Sequence, residues 1–133
     1  MNERQPDVGS EFHTRRGPIT TTQLVKYAGA SGDFHRIHFD QAFAADCGLG
    51  GLLAHGMLTM GFAAACLSDA LGPSVFLEEI AVRFVEPVRV GDVVDSVAIV
   101  KERRNDGGLV IDYRSQVGDR VVLKGSGLAR LAA

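Results

Sequence analysis

The densest run of reactive side chains in this sequence is Ser31-Gly32-Asp33-Phe34-His35-Arg36-Ile37-His38-Phe39-Asp40. Within it, Asp33 and His38 form an Asp-x-x-x-x-His pair. In a turn, a carboxylate and an imidazole so spaced can address one water molecule, the carboxylate taking a proton and the imidazole orienting the water or relaying the proton. The same spacing also describes an Asp that caps a turn beside a neutral His packed on the core, so the pair alone specifies no reaction. A second element is His55-Gly56-Met57, placed where the pattern below starts a buried helix. Amides in a helix's first turn lack intrahelical partners and sit at the positive end of its dipole. They suit an oxygen that gathers negative charge during a reaction, such as that of a thioester enolate. Glycine at position 56 lets a substrate carbonyl approach the main chain, although a tight loop-to-helix junction also calls for glycine. His55 reads as a packed, orienting residue.

These residues need elements to hold them. Thr20, Thr21 and Thr22 are capping types, and Leu24, Val25, Tyr27 and Ala28 follow at helical spacing, predicting a short first helix that Gly29 and Gly32 stop. Asp40 stands directly before Gln41-Ala42-Phe43-Ala44-Ala45-Asp46, the signature of a second short helix with Gly48 as its left-handed exit. Gly48-Leu49-Gly50-Gly51 reads as a flexible loop opening onto His55-Gly56. From Met57 to Leu71 the chain is apolar nearly all round, predicting a helix wrapped on most sides and ended by Gly72-Pro73. Beyond Pro73 the period changes. Residues 75–85, 90–101, 109–117 and 121–131 are rich in β-branched side chains between turn signals, predicting four consecutive antiparallel strands. Glu11 to Pro18 reads as a short edge strand. Helices followed by a meander make an α+β layout in which the sheet curls around the central helix.

A chain of 133 residues holds one domain. We expect a flexible N-terminal tail over residues 1–10 and a single domain over 11–133. With 46% hydrophobic and 23% charged residues the composition is that of an ordinary globular chain. A net charge of −2 argues against nucleic acid as a partner. No apolar run reaches the roughly 20 residues of a membrane span, and the polar start of the chain has no signal-peptide core. Cys47 and Cys66 form no CxxC pair and join no zinc-type cluster, so we expect reduced thiols in a cytoplasmic protein. Gly48-x-Gly50-Gly51 does not follow a strand and fails the context test for a dinucleotide loop. Arg83, Arg89, Lys101, Arg103, Arg104, Arg114 and Lys124 supply cations on or beside the strands, available to phosphates or to solvent.

Three separated stretches together resemble the MaoC-like hydratases and dehydratases of the hot-dog fold, which include (R)-specific enoyl-CoA hydratases and 3-hydroxyacyl thioester dehydratases. They are Tyr27 with Ser31-Gly32-Asp33, His38, Asp40 and Ala44; Ala54-His55-Gly56-Met57-Leu58; and Arg83-Phe84 with Pro87-Val88 and Gly91-Asp92. The resemblance runs from about Thr20 to the C-terminus. It implies a curved antiparallel sheet around a long central helix, and reversible hydration of trans-2-enoyl thioesters or dehydration of (3R)-3-hydroxyacyl thioesters. Asp33 and His38 match the catalytic pair, Gly56 the main-chain donor to the thioester carbonyl, and Ser31, His35, Arg36 and His55 shape the site. No metal and no cofactor are implied, since CoA or phosphopantetheine enters as part of the acyl-CoA or acyl-ACP substrate. The implied assembly is a homodimer, or a heterodimer with another hot-dog chain. The sequence departs from the family where His35-Arg36 replaces Asn-Pro, and where the family's additional helix hydroxyl falls near Ala64. Such loops resemble subunits of hetero-oligomers acting on bulky, steroid or polyketide-like enoyl-CoA esters. The fold also hosts acyl-CoA thioesterases.

Overall fold

The computed structural model describes residues 5–132. Its elements follow the order β1 (Glu11–Arg16), α1 (Thr21–Ser31), α2 (Gln41–Asp46), α3 (Gly56–Leu71), β2 (Val75–Phe84), β3 (Val94–Arg103), β4 (Leu109–Val117) and β5 (Arg120–Leu131), with a 3-10 turn at Arg36–His38 between α1 and α2. The caps lie where the side-chain types ask for them. The Thr20 hydroxyl accepts from the Gln23 N–H at 3.1 Å, and Asp40 Oδ1 accepts from the Phe43 N–H at 3.0 Å. Helix α1 runs through Gly29 and stops at Gly32, whose φ of 75° only glycine adopts readily. The expected stop at Gly29 gives way because Leu24 and Ala28, one turn apart, are both buried and hold the helix down.

The five strands form one antiparallel sheet in the order β1-β3-β4-β5-β2. This corrects the expected meander. Strand β2 does not pair with β3 but crosses to the far side of β5, with Val75 opposite Leu131 and Phe84 opposite Leu123. Gly125 and Gly127 on β5 permit this pairing, because a Cβ on either would stand 2.3 Å from the Ala81 carbonyl oxygen or 2.2 Å from that of Glu79. The predicted edge strand is present as β1, which pairs with β3 from Glu11 opposite Ile99 to Arg16 opposite Val94. Within the tail predicted over 1–10, residues 1–4 lie outside the described residues. The part from Gln5 to Ser10 runs beside β3, where the Gly9 N–H donates to the Val100 carbonyl at 2.8 Å and Arg103 holds the Pro6 carbonyl at 2.7 Å.

The core lies between the inner face of the sheet and α3, which buries Thr59, Phe62, Ala63, Cys66 and Leu67. Those positions make one stripe. With Leu58, Met60 and Leu71 packed partly against the core, the helix is covered on most of its sides, as its composition predicts; the face left open carries Met57, 58% exposed, with Gly61, Ser68, Asp69 and Ala70.

Candidate active site

The loop from α1 to α2 packs against the loop entering α3, and this brings Asp33, His38 and His55 together. The His38 ring is buried, with Nδ1 2.7 Å from the Leu53 carbonyl oxygen. A carbonyl oxygen can only accept, so Nδ1 carries the proton, and Nε2 of the neutral ring offers a lone pair. That Nε2 lies 3.6 Å from Asp33 Oδ2, beyond hydrogen-bond distance. Asp33 is half exposed and tied into its loop: its main-chain N–H donates to Ser31 Oγ at 3.2 Å, and its Oδ1 accepts from the His35 N–H at 3.2 Å. Oδ2 is thereby turned toward His38.

His55 backs this pair. Its ring stacks on His38 with centroids 3.7 Å apart and planes 18° from parallel, while Tyr27 of α1 meets it edge-on at 4.8 Å. His55 Nε2 donates to the Asp33 main-chain carbonyl at 3.1 Å. Its Nδ1 is buried with no partner among the described residues. Burial holds the imidazole below its ordinary pKa, against the opposing pull of the bond to Asp33. Ligand atoms of Asp33, His38 and His55 fall within 4.8 Å of one another. The two imidazole lone pairs lie in nearly parallel ring planes, however, and do not converge on a point where one ion could take both.

Gly56 begins α3, and its N–H has no partner among the described residues, as expected of a first helical position. Gly56 and His38 line the same cavity of about 370 Å³, together with Thr59 and the 84–88 segment. Asp33 lies outside that lining, on the solvent side of His38. A larger groove of about 570 Å³ runs over the outer face of the sheet and shares no residue with this one, so its size is not a guide to the chemistry.

The sequence-predicted residues do not all converge. Ser31 and His35 hold Asp33 by hydrogen bonds, but Arg36 is engaged elsewhere, bonded through Nε and Nη2 to Asp40 at 3.1 and 2.8 Å with its guanidinium 4.3 Å over the Phe43 ring. The Phe43 N–H and then Arg36 hold the Asp40 carboxyl below its ordinary pKa. Of the strand cations, Arg89 donates to the Leu49 carbonyl at 2.8 Å and Lys101 lies 3.9 Å from Asp112. Arg83, Lys124 and Arg114 stand directly opposite one another on adjacent strands.

Two cavity residues had no site role in the sequence reading, Thr59 being unnamed and Phe84 read only as part of a strand. The Thr59 hydroxyl donates to the Gly56 carbonyl at 2.7 Å and lines the cavity, whereas Ala64 does not. Its signal was its place three residues beyond Gly56, on the same helix face. The Phe84 ring has three carbons within 3.1–3.2 Å of where a Gly56 Cβ would stand, so a side chain at position 56 would have to push that half-exposed ring aside. Nothing near Gly56 in the chain announces that neighbour.

The family model for the MaoC like domain matches residues 3–120. The chain is 35% identical over 118 residues to the 3-hydroxybutyryl-CoA dehydratase of Methylorubrum extorquens, covering 85% of this chain and 73% of that protein. It is 32% identical over 83 residues to the (R)-specific enoyl-CoA hydratase of Rhodospirillum rubrum, covering 62% of this chain and 58% of that one. Among solved structures, the (R)-hydratase from A. caviae involved in PHA biosynthesis superimposes with a TM-score of 0.90 at 25% identity, over 96% of this chain and 98% of that one.

Proposed function

The chain belongs to the MaoC-like domain family, and on that premise we propose that it catalyses reversible hydration of a trans-2-enoyl thioester to the (3R)-3-hydroxyacyl thioester, with acyl-CoA as the substrate class. The observation that carries this reading is the 3.6 Å gap between His38 Nε2 and Asp33 Oδ2. Two acceptors cannot bond each other, and at that separation they are placed to share one water molecule, which has a proton for each. In the hydration direction, water oxygen forms the bond to the β-carbon as its proton passes to the Asp33–His38 pair. The α–β π electrons move toward the thioester, and negative charge grows on its carbonyl oxygen. The free Gly56 N–H at the start of α3 meets that charge. The pair then returns its proton to the α-carbon, which leaves it in its starting state and adds one water overall. A base, a relay and an oxyanion donor are sufficient for this reaction, and the phosphopantetheine arm belongs to the substrate.

The test is depletion of the conjugated enoyl-thioester absorbance by the purified chain. Asp33→Asn is expected to lower kcat by about 10²–10⁴ with the circular dichroism and Tm of the wild type retained. A variant of undiminished activity sinks the assignment. A thiol-reactive dye run in parallel reports thioester hydrolysis, which the hydratase reading expects to be absent.

We also infer that the working unit is a dimer with a second hot-dog chain. Strand β2 is ten residues long and stands at the sheet's edge, bonded on one side only. Phe76, Phe84 and Val85 in and just after it are 65%, 49% and 45% exposed. An open apolar edge of that length is normally paired or covered, and twofold antiparallel pairing through β2 does both. No helix among the described residues is long and apolar enough to cross a membrane. Cys47 and Cys66 are unpaired, which supports placing the protein in the reducing cytoplasm.

A further inference from the structure

The second residue of the loop that links Asp33 to His38 is held in place by a titratable acceptor. His35 caps the 3-10 turn Arg36–His38, and its ring Nδ1 accepts from the Ile37 main-chain N–H at 3.2 Å. The roles are not interchangeable, because a main-chain N–H only donates; Nδ1 must present a lone pair. The same residue's main-chain N–H donates to Asp33 Oδ1 at 3.2 Å. One residue therefore fixes the turn that carries His38 and also the carboxylate that faces it.

We propose that His35 is a positioning residue whose protonation unlatches the Asp33–His38 pair, so that the activity carries an acid limit set by the loop in addition to any set by the reacting groups. The inference rests on the hydratase reading above. With both ring nitrogens protonated, Nδ1–H would point at the Ile37 N–H, and the capping bond is replaced by a repulsion between donors. The turn then keeps its main-chain bonds, the His38 N–H to the His35 carbonyl at 3.1 Å, the Phe39 and Asp40 N–H groups to that of Arg36 at 3.2 and 2.8 Å and the Leu53 N–H to that of Ile37 at 3.0 Å, while losing the one that His35 Nδ1 accepts. The charged and titratable groups around His35 are few. Asp33 precedes it and accepts its N–H, Arg36 follows it but is committed to Asp40, and His38 stands across the turn with ring centroids 6.1 Å apart and His55 behind it. From α2 the side chain that meets the His35 ring is the uncharged Phe43, at 6.2 Å. The ring is exposed, so protons reach it freely.

Asparagine provides the control, since its side-chain oxygen can accept the same i+2 N–H and does not titrate in this range. Wild type, His35→Asn and His35→Ala are to be assayed on trans-but-2-enoyl-CoA from pH 5.5 to 8. At pH 8, His35→Asn is expected within about twofold of the wild type, and His35→Ala about threefold to tenfold lower, the loss that one hydrogen bond carries. At pH 5.5 the wild type is expected to fall to the level of His35→Ala, while His35→Asn keeps about a threefold to tenfold advantage over both. Amide NMR supplies a readout independent of turnover: the Ile37 N–H resonance should move with the titration of the His35 ring in the wild type and stay fixed in His35→Asn. A wild-type to His35→Asn ratio that is constant from pH 5.5 to 8, or an Ile37 amide indifferent to the His35 titration, overturns the proposal. Failure of the wild type to consume the thioester at pH 8 would instead strike the hydratase reading, and the NMR arm would still decide the loop.

Discussion

His55 shows how a side chain outside the proposed chemistry can govern it. It is buried, its ring is stacked at 3.7 Å on His38, and its one donated bond goes to the main chain of Asp33. Because burial lowers its pKa from 6.5, an unfolded chain binds a proton that the folded chain resists. Stability is therefore complete above pH 6.5 and falls as the pH drops from there toward the lowered folded-state value. Thermal unfolding should show Tm falling between pH 7 and pH 5, with a shallower fall in His55→Gln; an unchanged slope in that variant would place the dependence elsewhere. Residue types and spacing single out Asp33, His38, His55 and Gly56 as candidates, and the roles proposed for them come from the family resemblance rather than from spacing. Types and spacing did not reveal how His35 and Arg36 are used, because a His and an Arg in a polar loop are compatible with many partners. The bonds that sort them out, His35 to Ile37 and Arg36 to Asp40, depend on a turn geometry that spacing alone does not specify.

At the scale of elements, caps and periods are strong signals and partners are weak ones. Thr20, Asp40, Gly32 and Gly72 end or begin helices where their chemistry predicts, because capping is satisfied within a few residues. Strand periodicity tells which face of β2 is apolar but not which strand it joins. The crossing to β5 depends on two glycines whose role becomes visible only when the Ala81 and Glu79 carbonyls are seen against them. Gly127→Ala should accordingly destabilise the fold by roughly 1–3 kcal/mol, as overpacking does. Gly61→Ala, in α3 with nothing within 4 Å of the added methyl, should stabilise it by roughly 0.5–1 kcal/mol through helix propensity. Denaturant titration of both variants checks the contrast, and equal midpoints would refute the steric account of the β2–β5 pairing.

For the whole molecule, the open β2 edge is what asks for a second surface, since the outward face of α3 is small or polar at Gly61, Ser68, Asp69 and Ala70. Sedimentation equilibrium of the isolated chain should give twice the 14.2 kDa mass of one chain, and Phe76→Glu on the edge strand should shift it toward the monomer with a loss of activity. A fully active wild-type monomer would overturn the dimer; an inactive monomer rescued by co-expression with a different hot-dog chain would identify the partner as unlike.

The strand order also bears on how the protein is made. Strand β5 is the last of the described strands to leave the ribosome, yet it lies inside the sheet, between β4 and β2. Until it emerges, β2 has no partner on either side, and Phe76 and Phe84 travel with a strand that cannot yet join the sheet. The nascent chain is thus most vulnerable to sticky encounters after α3 and β2 have been synthesised and before β5 arrives. Slowing synthesis between β2 and β5 should therefore lower the soluble yield, and added chaperone should restore it.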